Sequence, residues 1–147
     1  MAEVIQQMWK KNLGIEIELA NEEWKVYLKT SQEMDYDISR AGWIGDYPDA
    51  NTFLDMWTSW SQQNQTGWSK PEYDALIRKA AVTKDPAARL EVFQQAEEIL
   101  MDELPIIPIY IYTRVYALHP AVKNWHANVL DHHPWKHVDL DLSKLKE

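Results

Sequence analysis

Gly14-Ile15-Glu16-Ile17-Glu18-Leu19 alternates apolar and acidic residues with a period of two, which puts Ile15, Ile17 and Leu19 on one face of a half-buried strand. Upstream, Val4, Ile5, Met8 and Trp9 fall at helical spacing between Ala2 and Asn12, and Gly14 is a natural left-handed stop after Leu13. No capping side chain precedes Ala2, so a helix beginning at the first residue is expected from a cut through a larger protein. Downstream, Asn21 is placed to cap a helix in which Glu22 and Glu23 favour the positive dipole end and Trp24, Tyr27 and Leu28 share a face. Tyr36 to Ala41 then reads as a second strand. Strand, helix and strand in this order form a βαβ unit with parallel strands and a right-handed crossover, and the fold class expected is α/β.

The remainder of the chain is richer in helix. Asp49 to Trp60 predicts a short helix carrying Phe53, Leu54, Met56 and Trp57, and Ser61 to Ser69 a polar loop. Ser69-Lys70-Pro71-Glu72 has the form of a capping box with proline in the first turn, opening a helix with Tyr73, Leu76, Ile77 and Ala80 on one side. Asp85-Pro86 opens another, running to Leu104, in which Leu90, Phe93, Leu100 and Leu104 are the expected buried stripe. These two helices should pair as a hairpin. Ile106 to Leu118 is apolar and β-branched and reads as one or two strands interrupted at Pro108. A tail from Ala121 to Leu142 follows, with Trp125, Trp135 and four histidines.

Composition narrows the function. At 147 residues the chain suffices for one modest core, and eight tryptophans and seven tyrosines against two phenylalanines over-supply aromatics with a polar handle, a type common at binding surfaces. A formal net charge of −8, with no basic run longer than Lys10-Lys11, argues against nucleic acid as a partner. No apolar run reaches membrane-spanning length, and Met1-Ala2-Glu3 does not begin a signal peptide.

Chemistry concentrates between Asp37 and Asp49. After the second expected strand, Gly42 and Gly45 break the chain and Trp43, Ile44, Asp46, Tyr47 and Asp49 follow, so Asp46 lies just past a strand end, where open α/β sheets bind ligands. The glycines permit close backbone approach, and a carboxylate there suits a cation. Asp46 could equally be a turn carboxylate, Trp43 a core residue, and Arg40, on the face of Ile38 and Gly42, an ion-pair partner for Asp37 or Asp49.

Arg40-Ala41-Gly42-Trp43, Gly45-Asp46-Tyr47-Pro48-Asp49, Phe53-Leu54 and the block from Asn64 to Asp74 together resemble the C-terminal lobe of the extracytoplasmic oligopeptide-binding proteins of ABC importers, solute-binding protein family 5. The likeness runs from about Ala2 to Leu140. It implies a helix-rich lobe of a periplasmic-binding-protein type II-like fold, with residues 1–114 as part of the ligand-binding lobe. Residues 115–147 would be a tail crossing back to a first lobe that this chain lacks, free to fold back or to exchange with another copy. It also implies an oligopeptide ligand, a membrane permease as partner of the full-length protein, an extracytoplasmic location (periplasm or cell-surface lipoprotein), and neither cofactor nor catalysis. Asp46 would pair with the α-ammonium of the peptide, Arg40 would lie toward its carboxylate end, and Trp43, Ile44, Gly45, Tyr47 and Asn64 would complete the wall. Another arginine used by some members falls at Ser31 here, which leaves peptide length open.

Two other kinds of chemistry fit parts of the pattern. His126, His132, His133 and His137 with Asp131 and Asp139 suggest a metal, but Pro134 breaks the only four-residue spacing. A tryptophan-lined carbohydrate-binding domain, or a glycosidase using Asp46, Asp49 and Asp55, is the alternative, although no nucleophile elbow or phosphate loop accompanies these aspartates.

Overall fold

The computed structural model describes residues 1–146 and divides into two compact units, Met1–Arg40 and a second beginning at Ala41. The expected boundary at 114/115 falls inside the second unit.

In the first unit, α1 (Ala2–Leu13) carries Glu3 at its start and Lys10 and Lys11 at its end, matching the helix dipole. It closes on Gly14, whose φ of 69° is the left-handed stop read from the sequence. The second helix, α2 (Trp24–Glu33), starts later than Asn21 would have it: the Glu23 carboxylate accepts from the Lys25 N–H at 2.8 Å and takes over the cap. Residues 15–19 and 36–41 have helix between them, as expected, but neither forms a ladder among the described residues. The expected strand pairing is thus corrected, because alternation provides a face but not a hydrogen-bonding neighbour. Ile17 is half-buried, Ile15 and Leu19 are exposed, and the Gln6 side chain donates to the Ile17 carbonyl at 2.8 Å.

The second unit is built on α4 (Pro71–Val82) and α5 (Pro86–Glu103), packed as the hairpin that the sequence predicts. Asp85 caps α5 by accepting from the Ala88 N–H at 2.8 Å. The capping box does not form, since α4 begins after Lys70, leaving Ser69 outside the cap and Glu72 one position early. Tyr73, Ile77 and Ala80 are buried on α4, as their spacing predicts. On α5 the buried stripe is Val92, Phe93, Ala96 and Leu100, while Leu90 is 64% and Leu104 55% exposed. Ala80 and Ala96, both fully buried, belong to the hairpin's core, where small residues let backbones approach and branched side chains fill the flanks.

Against the hairpin lies α3 (Asn51–Leu54), continued by a 3₁₀ turn at Asp55–Trp57, with Leu54 in the shared core and Trp57, Trp68, Leu76, Ile99 and Ile106 at its edge. The expected strands at 106–118 are not assigned, and Ile111 is 92% exposed. Among the described residues the strands are β1 (Val122–Lys123) and β2 (Asp139–Leu140), paired antiparallel with Val122 opposite Leu140. No described helix is long and apolar enough to cross a membrane.

Candidate functional site: the Asp46 loop

Six of the seven residues singled out from the sequence lie in the second unit, and Arg40 is the last residue of the first. Arg40 is exposed, and its carbonyl accepts from the Tyr27 hydroxyl at 3.1 Å.

The loop around Asp46 is tightly specified from below. The Asp46 N–H donates to Thr52 Oγ1 at 3.0 Å, and Thr52 is buried. Gly45 is tightly packed: a Cβ there would come within 2.9 Å of Phe53 Cζ and 3.1 Å of Thr52 Cγ2, so a larger residue must displace the Phe53 ring. Asp49 accepts from the Asn51 N–H at 2.9 Å and binds the Arg89 guanidinium with both oxygens, at 2.6 and 2.9 Å. The Arg89 hydrogen bond, followed by that of Asn51, holds the Asp49 carboxyl below the usual carboxylate range. Asp49 is therefore committed to Arg89. Asp55 accepts from Asn51 Nδ2 at 2.7 Å and from the Tyr47 hydroxyl at 3.4 Å.

Asp46 differs from both. It is exposed, and among the described residues its carboxylate receives no hydrogen bond or ion pair. Beside it Ile44 is 76% exposed and Tyr47 half-exposed, while Trp43 is half-buried with its indole N–H covered and lacking an acceptor among the described residues. A carboxylate held by its backbone, facing solvent next to apolar side chains, can receive a cation without first breaking an internal bond.

Asn64 is occupied in building the following loop. Its amide donates to the carbonyls of Trp57, Thr58 and Trp68 at 3.2, 3.3 and 2.9 Å, and its oxygen accepts from Thr66 N and Oγ1. Downstream, the Trp68 indole donates to Glu103 at 2.7 Å and Lys70 pairs with the same carboxylate. Thr52 and Arg89 were missed by the sequence reading. Arg89 did carry a signal, because a cation in an early turn of a helix opposes the dipole unless an anion elsewhere holds it.

In the tail, Asp131 bridges Arg114 at 3.1 Å and His133 at 2.8 Å, and His133 stacks on Trp125 with centroids 3.7 Å apart. A shallow cavity of about 340 Å³ lined by Arg114, Val115, Tyr116, Ala127, Asn128 and Asp131 shares no residue with the Asp46 loop. Among the described residues no group of three His, Cys, Asp or Glu side chains is arranged to hold a metal.

Residues 1–65 match the family described as bacterial extracellular solute-binding proteins, family 5 middle. The chain is 42% identical over 118 residues to the oligopeptide-binding protein OppA of Bacillus subtilis (strain 168), covering 80% of this chain and 22% of that protein. It is 38% identical over 128 residues to the periplasmic murein peptide-binding protein MppA of Escherichia coli (strain K12), covering 87% and 24%. Among solved structures, Haemophilus influenzae OppA in complex with RPPGFSPFR superposes with a TM-score of 0.83 at 32% identity, over 95% of this chain and 28% of that one. The chain thus spans about a quarter of the length of the relatives it matches.

Proposed function

Since the chain belongs to the family 5 bacterial extracellular solute-binding proteins, we propose that it supplies one wall of a peptide-binding cleft serving ABC-transporter uptake, with Asp46 as the acceptor for the peptide α-ammonium. The observation that carries this reading is the contrast within one loop: Asp49 and Asp55 are paired internally, whereas Asp46 is exposed and receives no partner among the described residues. A free peptide amine has a pKa near 8 and is charged at neutral pH, so the contact is a charge-assisted hydrogen bond. Trp43, Ile44, Gly45 and Tyr47 form the apolar flank of the same wall, Asn64 is assigned to it as well, and Arg40 is assigned toward the peptide's carboxylate. This is binding and not catalysis. The ligand is an oligopeptide, the relevant compartment extracytoplasmic, and the further partner a membrane permease; the tail from Val115 is the segment free to be disordered, to fold back or to exchange between copies.

The relatives support a peptide rather than a sugar, since the names of OppA and MppA specify peptide binding. The test is a peptide series in a protein carrying this segment within both lobes. Asp46→Asn should weaken peptides with free N-termini by tenfold or more and leave their N-acetylated counterparts unchanged. Equal losses for both would remove the assignment.

A further inference from the structure

We infer that Arg89, acting through Asp49, is the positioning residue that fixes the loop presenting Asp46. The inference rests on the reading of Asp46 as the ammonium acceptor. Arg89 sits at the start of α5 and makes three separate attachments. Its terminal nitrogens bind both oxygens of Asp49 at 2.6 and 2.9 Å, forty positions away in sequence. Its Nε donates to the Ala80 carbonyl at 3.2 Å, near the end of α4. Its guanidinium lies 4.5 Å from the centroid of the Phe93 ring, a residue of the buried core.

The guanidinium is planar and carries its donors in a rigid fork, so these bonds define an orientation as well as a distance. Both helices of the hairpin thereby reach the loop through one side chain. From Asp49 the constraint passes along a short path: Asp49 N–H donates to the Tyr47 carbonyl at 2.9 Å, Thr52 N–H donates to the Asp49 carbonyl at 3.3 Å, and Thr52 Oγ1 accepts from the Asp46 N–H at 3.0 Å. Asp46 is therefore three residues from a point fixed to the hairpin and one hydrogen bond from a buried hydroxyl. Without Asp49–Arg89 the loop keeps its local bonds, and α3 its packing through Leu54, but Asp49 loses its direct attachment to the start of α5. A carboxylate whose carrier moves must be ordered on binding, which weakens recognition.

Amide hydrogen exchange and peptide titration by NMR on this chain, for wild type, Arg89→Lys, Asp49→Asn and the double variant, test the inference. Asp49→Asn leaves the Phe93 and Ala80 contacts of Arg89 in place and removes only the charged fork. We expect each single variant to accelerate exchange at the Asp46 amide about tenfold, the double variant to add nothing further, and the amides of Ile77 and Phe93 to keep their wild-type protection. An Asp46 amide unchanged in both single variants would overturn the inference, as would acceleration in Arg89→Lys alone, which would mean that Arg89 acts through the core. The reading of Asp46 is judged separately, by whether Asp46→Asn abolishes the difference between trialanine and N-acetyl-trialanine at tens of millimolar. Loss of that difference in Asp49→Asn as well supports the inference. Retention there, with loss in Asp46→Asn, overturns positioning and keeps the acceptor.

Discussion

The Tyr73 hydroxyl donates to the Leu54 carbonyl at 2.6 Å, where neither residue is open to water, and so joins the start of α4 to the end of α3. Burial pushes the tyrosine's ionisation well above its ordinary value, so it remains a donor into strongly alkaline solution. Tyr73→Phe keeps the ring and strands the Leu54 carbonyl, at an expected cost of roughly 1 to 3 kcal/mol. The measurement is urea unfolding: the midpoint should fall with the slope unchanged. A midpoint equal to wild type would mean that water replaces the hydroxyl.

Acid should weaken the fold through identifiable pairs. Asp49 is lowered first by Arg89, Glu103 by Lys70 and Trp68, and Asp141 by Ser143 and Lys123. A carboxyl lowered in the folded state contributes stability that is complete above its unfolded pKa of about 4 and is lost as pH falls through the folded value. Lys70, raised by Glu103, has the opposite sign: its contribution holds below its unfolded pKa, near 10.4, and disappears as pH rises through the folded value. Stability should thus be flat between about pH 5 and 9 and decline below about pH 4. Asp49→Asn should make the decline from pH 4 to 2.5 shallower; an unchanged decline would show that the Arg89 pair contributes nothing to it.

Gly45→Ala tests the packing under the site. Its added Cβ would approach Phe53 Cζ to 2.9 Å, and because Phe53 is half-exposed the ring can swing outward. The expected loss is about 1 kcal/mol, at the low end for overpacking, with the resonances of Phe53 and Asp46 shifted. If the Phe53 ring signals stay in place, the clearance is larger than the geometry indicates.

The chain by itself should bind peptides poorly. Asp46 is exposed, and an exposed ion pair is typically worth about 0 to 1 kcal/mol, against roughly 8 kcal/mol for micromolar affinity. Calorimetry with tri- to pentapeptides at micromolar concentration should show no saturable heat. A clear micromolar isotherm would mean that this chain holds a complete site of its own.

What the sequence disclosed follows from how local each signal is. Gly14 and Asp85-Pro86 act within one helical turn, and both mark their helices correctly in the structure. The stripe on α5 was read from the large leucines, yet Leu90 and Leu104 face solvent while Ala96 is buried, because the closest approach of two helices selects small residues that hydropathy ranks low. Ile15, Ile17 and Leu19 have the alternation of a strand, but a ladder belongs to two segments and cannot be read from one. At the candidate site, Gly42 and Gly45 announce a loop around Asp46. The parts that hold it, Thr52 and Arg89, became visible only when residues six and forty positions apart were brought together.

That separation also sets an order of events. The α4–α5 pair closes through a turn of three residues, Thr83 to Asp85, so its contacts cost little chain entropy and should form early. Asp49 can reach Arg89 only across forty positions, after α5 already exists to display the guanidinium. The hairpin is then a template on which the loop is cast late. Substitutions at Ile77 or Phe93 should slow refolding, whereas Asp49→Asn should act almost wholly on the unfolding rate, a division that stopped-flow kinetics would reveal.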